Sequence, residues 1–157
     1  MKLFFLFLLS GMLLQAQNPF LESISIEHGL SQGFVPSICQ DDDGFIWFAT
    51  KSGLNRYDGY SFKVFRNDPF DSLSLNSNEL INIVPAGDFL FVVSVKNEPM
   101  LFHRKTNCFY RIFNLFPGTF NAAYSPVKNI ICARYYNDEN SKIYRFEWPA
   151  DLSNTLL

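Results

Sequence analysis

This sequence predicts an all-β fold, part of a β-propeller, with about three four-stranded antiparallel blades after a signal peptide. Three observations carry that expectation. The first is the stretch Gln40-Asp41-Asp42-Asp43-Gly44-Phe45-Ile46-Trp47-Phe48-Ala49-Thr50-Lys51-Ser52-Gly53-Leu54-Asn55-Arg56-Tyr57-Asp58-Gly59, which reads as turn, strand, turn, strand, turn. Asp43-Gly44 and Asp58-Gly59 mark hairpins, because glycine takes positive φ without a Cβ clash. The second is an echo of this unit further on: Trp47 to Phe91 is 44 residues and Phe91 to Ile131 is 40, while Tyr57 to His103 is 46 and His103 to Phe146 is 43. A period of about 40–45 with four strands fits propeller blades. The third is that no apolar period of 3.6 stands out after the N-terminal segment. A plain antiparallel sandwich, whose strands also arrive at short regular spacing, is the competing architecture.

The elements follow in order. Met1-Lys2, then Leu3–Leu9, then Ser10–Gln17 give a basic residue, a short apolar core and the small residue Ala16. That is the pattern of a signal peptide over residues 1–16, cleaved after Ala16. The apolar run is shorter than the roughly 20 residues that span a bilayer. A periplasmic or secreted location follows. No Cys lies close behind the core, so a lipid-anchored Cys is not indicated.

Residues 17–33 should form an N-terminal strand, Leu21–Ile26, and a turn-rich connector, Glu27–Gly33. Blade 1 (34–79) has strands Phe34–Gln40, Phe45–Thr50, Leu54–Tyr57 and Ser61–Phe65, with Pro36 weakening the start of the first. Phe45–Thr50 is apolar on both faces, as expected of a strand between stacked sheets. The polar stretch Arg66–Asn78 reads as a loop. Blade 2 (80–119) has strands Leu80–Pro85, Phe89–Val95, Met100–His103 and Cys108–Phe113. Blade 3 (120–157) is incomplete, with strands Phe120–Tyr124, Asn129–Arg134 and Lys142–Glu147 and a polar turn at Asn137–Ser141.

Composition limits the function classes. Apolar residues make up 48% and aromatics 17%, with 18 Phe, which is ample for a packed core. The net charge of −2 and the lack of any basic block remove the electrostatic term that drives nucleic-acid binding. Cys39, Cys108 and Cys132 are odd in number and lack metal-ligand spacing. Free thiols acting as small buried hydrophobes are expected, with one disulfide left open.

No constellation in the sequence carries catalysis. Asp41-Asp42-Asp43-Gly44 lacks the alternating carboxylates and closing Glu of an EF-hand, so a hairpin with a solvated acidic tip is expected. His28 and His103 are remote from each other and from any paired nucleophile. Gly29-Leu30-Ser31-Gln32-Gly33 has the Gly-x-Ser-x-Gly signature but not its strand-to-helix context, so Ser31 is not read as a nucleophile. Trp47, Tyr57 and Phe62 can be read as a sugar-stacking platform, but their place inside alternating strands favours inter-blade core packing. Arg56 would line a cleft or bridge to an acidic turn of the next blade. No cofactor and no metal are expected.

Gly29-Leu30-Ser31, Val35-x-x-Ile38-x-Gln40-Asp41, Asp43–Thr50 and Gly53-Leu54-Asn55-Arg56-Tyr57-Asp58-Gly59-x-x-Phe62 closely resemble the two-component regulator propeller repeat. The likeness is strong over residues 20–66 and weak from 80 to 147, and Ala49 stands where that repeat usually has Gly. The resemblance implies a blade signature at Asp43, Gly44, Trp47, Gly53, Leu54, Tyr57, Asp58 and Gly59. It implies the extracytoplasmic sensor region of a hybrid two-component signalling protein, responding to oligosaccharide and not itself an enzyme. The relatives so implied are anchored in the inner membrane and continue into a kinase, which this chain lacks. Its partners would be the remaining blades of a longer sensor or another copy of the chain. A secreted carbohydrate-binding propeller and a propeller lyase or glycosidase are the alternatives. The latter would need paired carboxylates at blade loops.

Overall fold

The computed structural model describes residues 22–96 and 98–112 in full, and 119–125, 130–136 and 141–147 by backbone alone. The expected signal peptide at 1–16, Leu21, Phe113, the expected turn at 137–140, the segment 148–157 and the side chain of Cys132 lie outside the described residues.

The chain is all-β, folded as consecutive antiparallel meanders. The first sheet has β1 (Ser37–Gln40), β2 (Ile46–Thr50), β3 (Gly53–Tyr57) and β4 (Phe62–Phe65), in that order. The second has β5 (Leu80–Ala86), β6 (Phe89–Ser94), β7 (Pro99–His103) and β8 (Cys108–Arg111), again in chain order. In the third, β9 (Thr119–Ser125), β10 (Ile130–Tyr136) and β11 (Ser141–Glu147) pair in sequence. β5 lies beside both β1 and β9, so the first strand of each sheet sits next to its counterpart in the neighbouring sheet. That is the arrangement of propeller blades around an axis.

β1 is shorter than the sequence implied. Pro36 has no N–H to donate to a ladder, and pairing with β2 starts only at Ser37↔Ala49. The expected N-terminal strand is also corrected. Residues 22–25 have no ladder partner, and Ile26–His28 is a single 3₁₀ turn. Local bonds replace the missing neighbour: the Ser25 N–H donates to His28 Nδ1 at 3.1 Å, and the Gly29 N–H closes the turn on the Ile26 carbonyl at 3.0 Å.

Alternation along the strands builds the core. Trp47 and Ala49 on β2 and Leu54 on β3 point one way from the first sheet, with Phe65 of β4 beside them. They meet Ile83, Leu90, Val92, Met100, Phe102 and Phe109 of the second sheet. Leu75, from the loop between the sheets, is sealed in the same cluster. The Trp47 indole meets the Phe102 ring edge-on at 5.3 Å and stacks on Phe65 at 6.0 Å. β6 is buried at every position. Phe91, 44 residues after Trp47, lies on the face of the second sheet turned away from the first, so the spacing preserves which face each residue serves.

Gly53 shows why one blade-signature position admits no side chain. Its φ is +113°, and a Cβ there would overlap the Phe65 carbonyl oxygen of the adjacent strand. Its N–H donates to the Asn78 carbonyl at 2.8 Å, tying the β2–β3 turn to the loop that enters the second sheet.

Trp47 is fully buried. Trp47→Ala should therefore lower stability by about 3–5 kcal/mol in a urea titration. A loss under about 1 kcal/mol would place the indole outside the cooperative core.

Candidate functional site

Two polar networks among the described residues hold candidates the sequence offered, and the first joins the sheets. Asp41 opens the turn of the β1–β2 hairpin, and its Oδ1 accepts the N–H groups of Asp43 and Phe45, each at 3.0 Å. That is the local turn chemistry expected of an aspartate. Its other oxygen accepts the Trp47 indole N–H at 2.7 Å and pairs with Arg104 Nη1 at 3.0 Å. Arg104 comes from the β7–β8 turn of the second sheet. It also reaches Asp43 Oδ2 and donates through Nε and Nη2 to the Gly87 carbonyl. The Asp41 and Arg104 side chains are 1% and 8% exposed, whereas that of Asp43 is 67% exposed. The acidic tip expected from sequence is thus divided: Asp42 and Asp43 are solvated, but Asp41 is a buried hub. The deciding feature is the cation delivered across the sheet interface, without which burying the carboxylate would cost several kcal/mol.

The second junction holds the connector against the first sheet. Asn55, fully buried on β3, accepts the Ser31 N–H at 2.9 Å and donates to Ser31 Oγ at 2.8 Å. Ser31 Oγ also lies 2.9 Å from Thr50 Oγ1, whose hydroxyl donates to the Gly53 carbonyl. Ser31 is therefore committed to a closed hydrogen-bond network, and the segment around it passes from a 3₁₀ turn to β1 with no helix following. The elbow geometry a nucleophile needs is absent at this residue.

The other sequence candidates fall apart in space. Trp47 faces the second sheet, while Tyr57 and Phe62, 4.7 Å apart, lie on the opposite face of the first. The three cannot form one stacking platform. Arg56 makes no ion pair among the described residues; its guanidinium lies 4.6 Å from the Phe45 ring. The bridge to an acidic turn is made by Arg104 instead. His28 binds Ser25 and His103 Nδ1 lies 2.8 Å from Thr106 Oγ1, so each is occupied by its own turn. Asp43, Gly44, Asp58 and Gly59 form two similar turns, with Gly44 at φ +88° and Gly59 at +98°. Asp58 accepts from the Ser61 and Tyr60 N–H groups, and these bonds hold its carboxyl below the usual carboxylate range. No group of three or more His, Cys, Asp or Glu able to hold a metal occurs among the described residues.

Cys39 and Cys108 are free and partly buried. Burial first, and the Asp41 charge second, push the Cys39 thiol up to about 12. Sequence reasoning missed Asp41, Arg104 and Asn55 as a set. Only the Asp41-to-Trp47 spacing of six residues, within one hairpin, hinted at any of it.

An open groove of about 620 Å³ lies between the connector and the outer face of the first sheet. Ile24, Ile26, Leu30, Val35, Ile38 and Phe48 supply its apolar lining.

Residues 29–52 match the family model described as two component regulator propeller, so the chain carries a repeat of that kind. A curated relative, Histidine kinase P4 of Formosa agariphila, is 42% identical over 72 residues, 46% of this chain and 5% of that protein. A solved relative is the extracellular domain named for hybrid two component system BT3049 of B. thetaiotaomicron. It is 23% identical with a TM-score of 0.61, covering 80% of this chain and 20% of that one. The fold is therefore shared with that domain, and the chain spans a small fraction of either relative.

Arg104→Met leaves Asp41 buried without its cation. It should cost about 3–5 kcal/mol in denaturant unfolding, whereas Lys105→Met, at the exposed pair with Asp88, should cost under about 1 kcal/mol. Equal costs would show that the buried pair contributes nothing special. For Cys39, iodoacetamide at pH 8 should alkylate the unfolded chain far faster than the folded one, read by mass spectrometry of its peptide. Equal rates would contradict the raised thiol.

Proposed function

We propose that this chain is part of the extracytoplasmic ligand-binding region of a two-component signalling protein, and that its ligand class is oligosaccharide. The observation that carries this reading is the match of residues 29–52 to the regulator propeller repeat, supported by the 42% identity to a histidine kinase. In this reading residues 1–16 are a cleaved signal peptide and 17–33 a connector. Blades then run over 34–79, 80–119 and 120–157, the last incomplete. The chain is periplasmic or secreted. Ligand binds in a loop-lined cleft at a ring face, or between rings, and shifts the population of a dimer. The kinase lies in the longer protein, joined through a membrane helix, and this segment performs no catalysis itself.

The arrangement of carboxylates supports a binding rather than a hydrolytic role. Asp41 is consumed by Trp47 and Arg104, and Asp58 by its own turn. Neither is left as a general acid facing a second carboxylate across a cleft.

The exported chain should begin at Gln17 by N-terminal sequencing; recovery of an unprocessed cytoplasmic product would remove the export step. Thermal denaturation against a panel of polysaccharide digests, with monosaccharide controls, should show one oligosaccharide class raising the midpoint. No shift with any digest would overturn the ligand class. The gene downstream of codon 157 should encode further blades, a membrane helix and a kinase. A stop followed by an unrelated gene would overturn the signalling role.

A further inference from the structure

The segment that enters each of the first two sheets is fastened to that sheet's second and third strands, but by different side chains. In the first sheet the Ser31 N–H donates to Asn55 Oδ1, and Ser31 Oγ lies 2.9 Å from Thr50 Oγ1. Asn55 Nδ2 closes the set by donating to Ser31 Oγ at 2.8 Å. The ladders identify the matching residues of the second sheet. Ser37↔Ala49 corresponds to Asn82↔Val93, so Thr50, the next residue, corresponds to Ser94. Trp47↔Arg56 corresponds to Phe91↔Leu101, so Asn55 corresponds to Met100. Leu30-Ser31 precede Ser37 by the same intervals at which Leu75-Asn76 precede Asn82. One bond of the joint is kept: the Asn76 N–H donates to Met100 Sδ at 3.4 Å, as that of Ser31 does to Asn55.

The rest of the clamp is lost. A thioether has no N–H, so Met100 cannot do what the Asn55 carboxamide does. Asn76 Nδ2 donates instead to Glu98 Oε2 at 2.7 Å. Asn76 Oδ1 is buried and has no hydrogen-bond partner among the described residues, and the same is true of Ser94 Oγ, whose residue is fully buried. These two side chains stand where Ser31 and Thr50 stand in the first sheet, and there the matching oxygens touch. Buried polar groups are paired in the great majority of cases, so two orphaned oxygens at one joint call for a shared partner.

We propose that this joint is a binding site for one ordered water, which donates to Asn76 Oδ1 and hydrogen-bonds Ser94 Oγ. Asn76 Oδ1 can only accept, whereas a hydroxyl can donate or accept, so a water satisfies both at once. A buried water requires about two to four polar partners, and the joint supplies two. A metal ion suits the joint poorly, because Asn76 presents the positive end of its amide to the Glu98 carboxylate. The water takes the role of the Asn55 carboxamide and ties the inter-sheet loop to β6. The proposed site depends on the repeat shared by the first two sheets and on no ligand of the ring face.

A high-resolution crystal structure of the full chain should show one water oxygen within about 3.2 Å of both Asn76 Oδ1 and Ser94 Oγ. In solution, a water-selective NOESY should show a long-lived water at the Asn76 side-chain amide. The double variant Asn76→Ser, Met100→Asn rebuilds the clamp of the first sheet and should lose that signal. Met100→Leu, which supplies no donor, should keep it. Circular dichroism checks the fold of each variant; if the double variant fails to fold, Ser94→Ala, which removes one of the two partners, should lose the signal in its place. Direct contact between the two oxygens, a metal ion at the joint, no density beside them, or a signal unchanged by the clamp-restoring variant would each overturn the proposal.

Discussion

A carboxylate buried between two sheets sets the terms for the rest of this structure. Asp41 organises its own hairpin through one oxygen and, through the other, receives an indole N–H from its own sheet and a guanidinium from the next. Each of these partners depends on a different level of the fold. The backbone N–H groups require the turn, the indole requires β2 in register with β1, and Arg104 requires the second sheet to be docked. A charge of this kind is tolerated only when all its partners are present. The hub therefore makes hairpin formation and sheet docking conditional on one another. The apolar cluster beneath it, centred on Trp47 and Phe102, supplies most of the driving force, since ring and aliphatic burial scale with area and polar pairs do not.

Several polar residues of the repeat sit at joints between elements. Asn55 and Thr50 clamp Ser31, Ser37 bridges to Asn82, and Gly53 ties into the inter-sheet loop. Every one of these bonds fastens a sheet to a connector or to its neighbour. Stability in such an array is a sum over sheets and their interfaces, so each interface must be complete in itself. Among the described residues no other sheet covers the outer face of the first, where Leu30 is buried and Ile38 is exposed.

Much of the fold was legible along the chain, and the reasons are local. Asp-Gly pairs at 43–44 and 58–59, alternating apolar residues and a recurring interval near 44 fix strand order within each sheet. Ser23-Ile24-Ser25-Ile26 alternates as a strand does, yet it forms no ladder. Alternation states a preference, whereas a strand also requires a neighbour's hydrogen-bonding edge. The acidic run 41–43 implies a solvated tip, because sequence shows charge but not the cation that arrives from 61 residues further on.

By itself, the sequence determined the hairpins, the order of the strands and the kinship of residues 29–52 with the two component regulator propeller repeat, because turn chemistry and side-chain periodicity act over a few residues. Only the tertiary structure decided that Asp41 is buried, that Arg104 and not Arg56 reaches it, that Ser31 is a joint, and which face of the first sheet stays open. Those outcomes depend on which sheet surfaces meet, and that is set by packing between residues far apart in the chain.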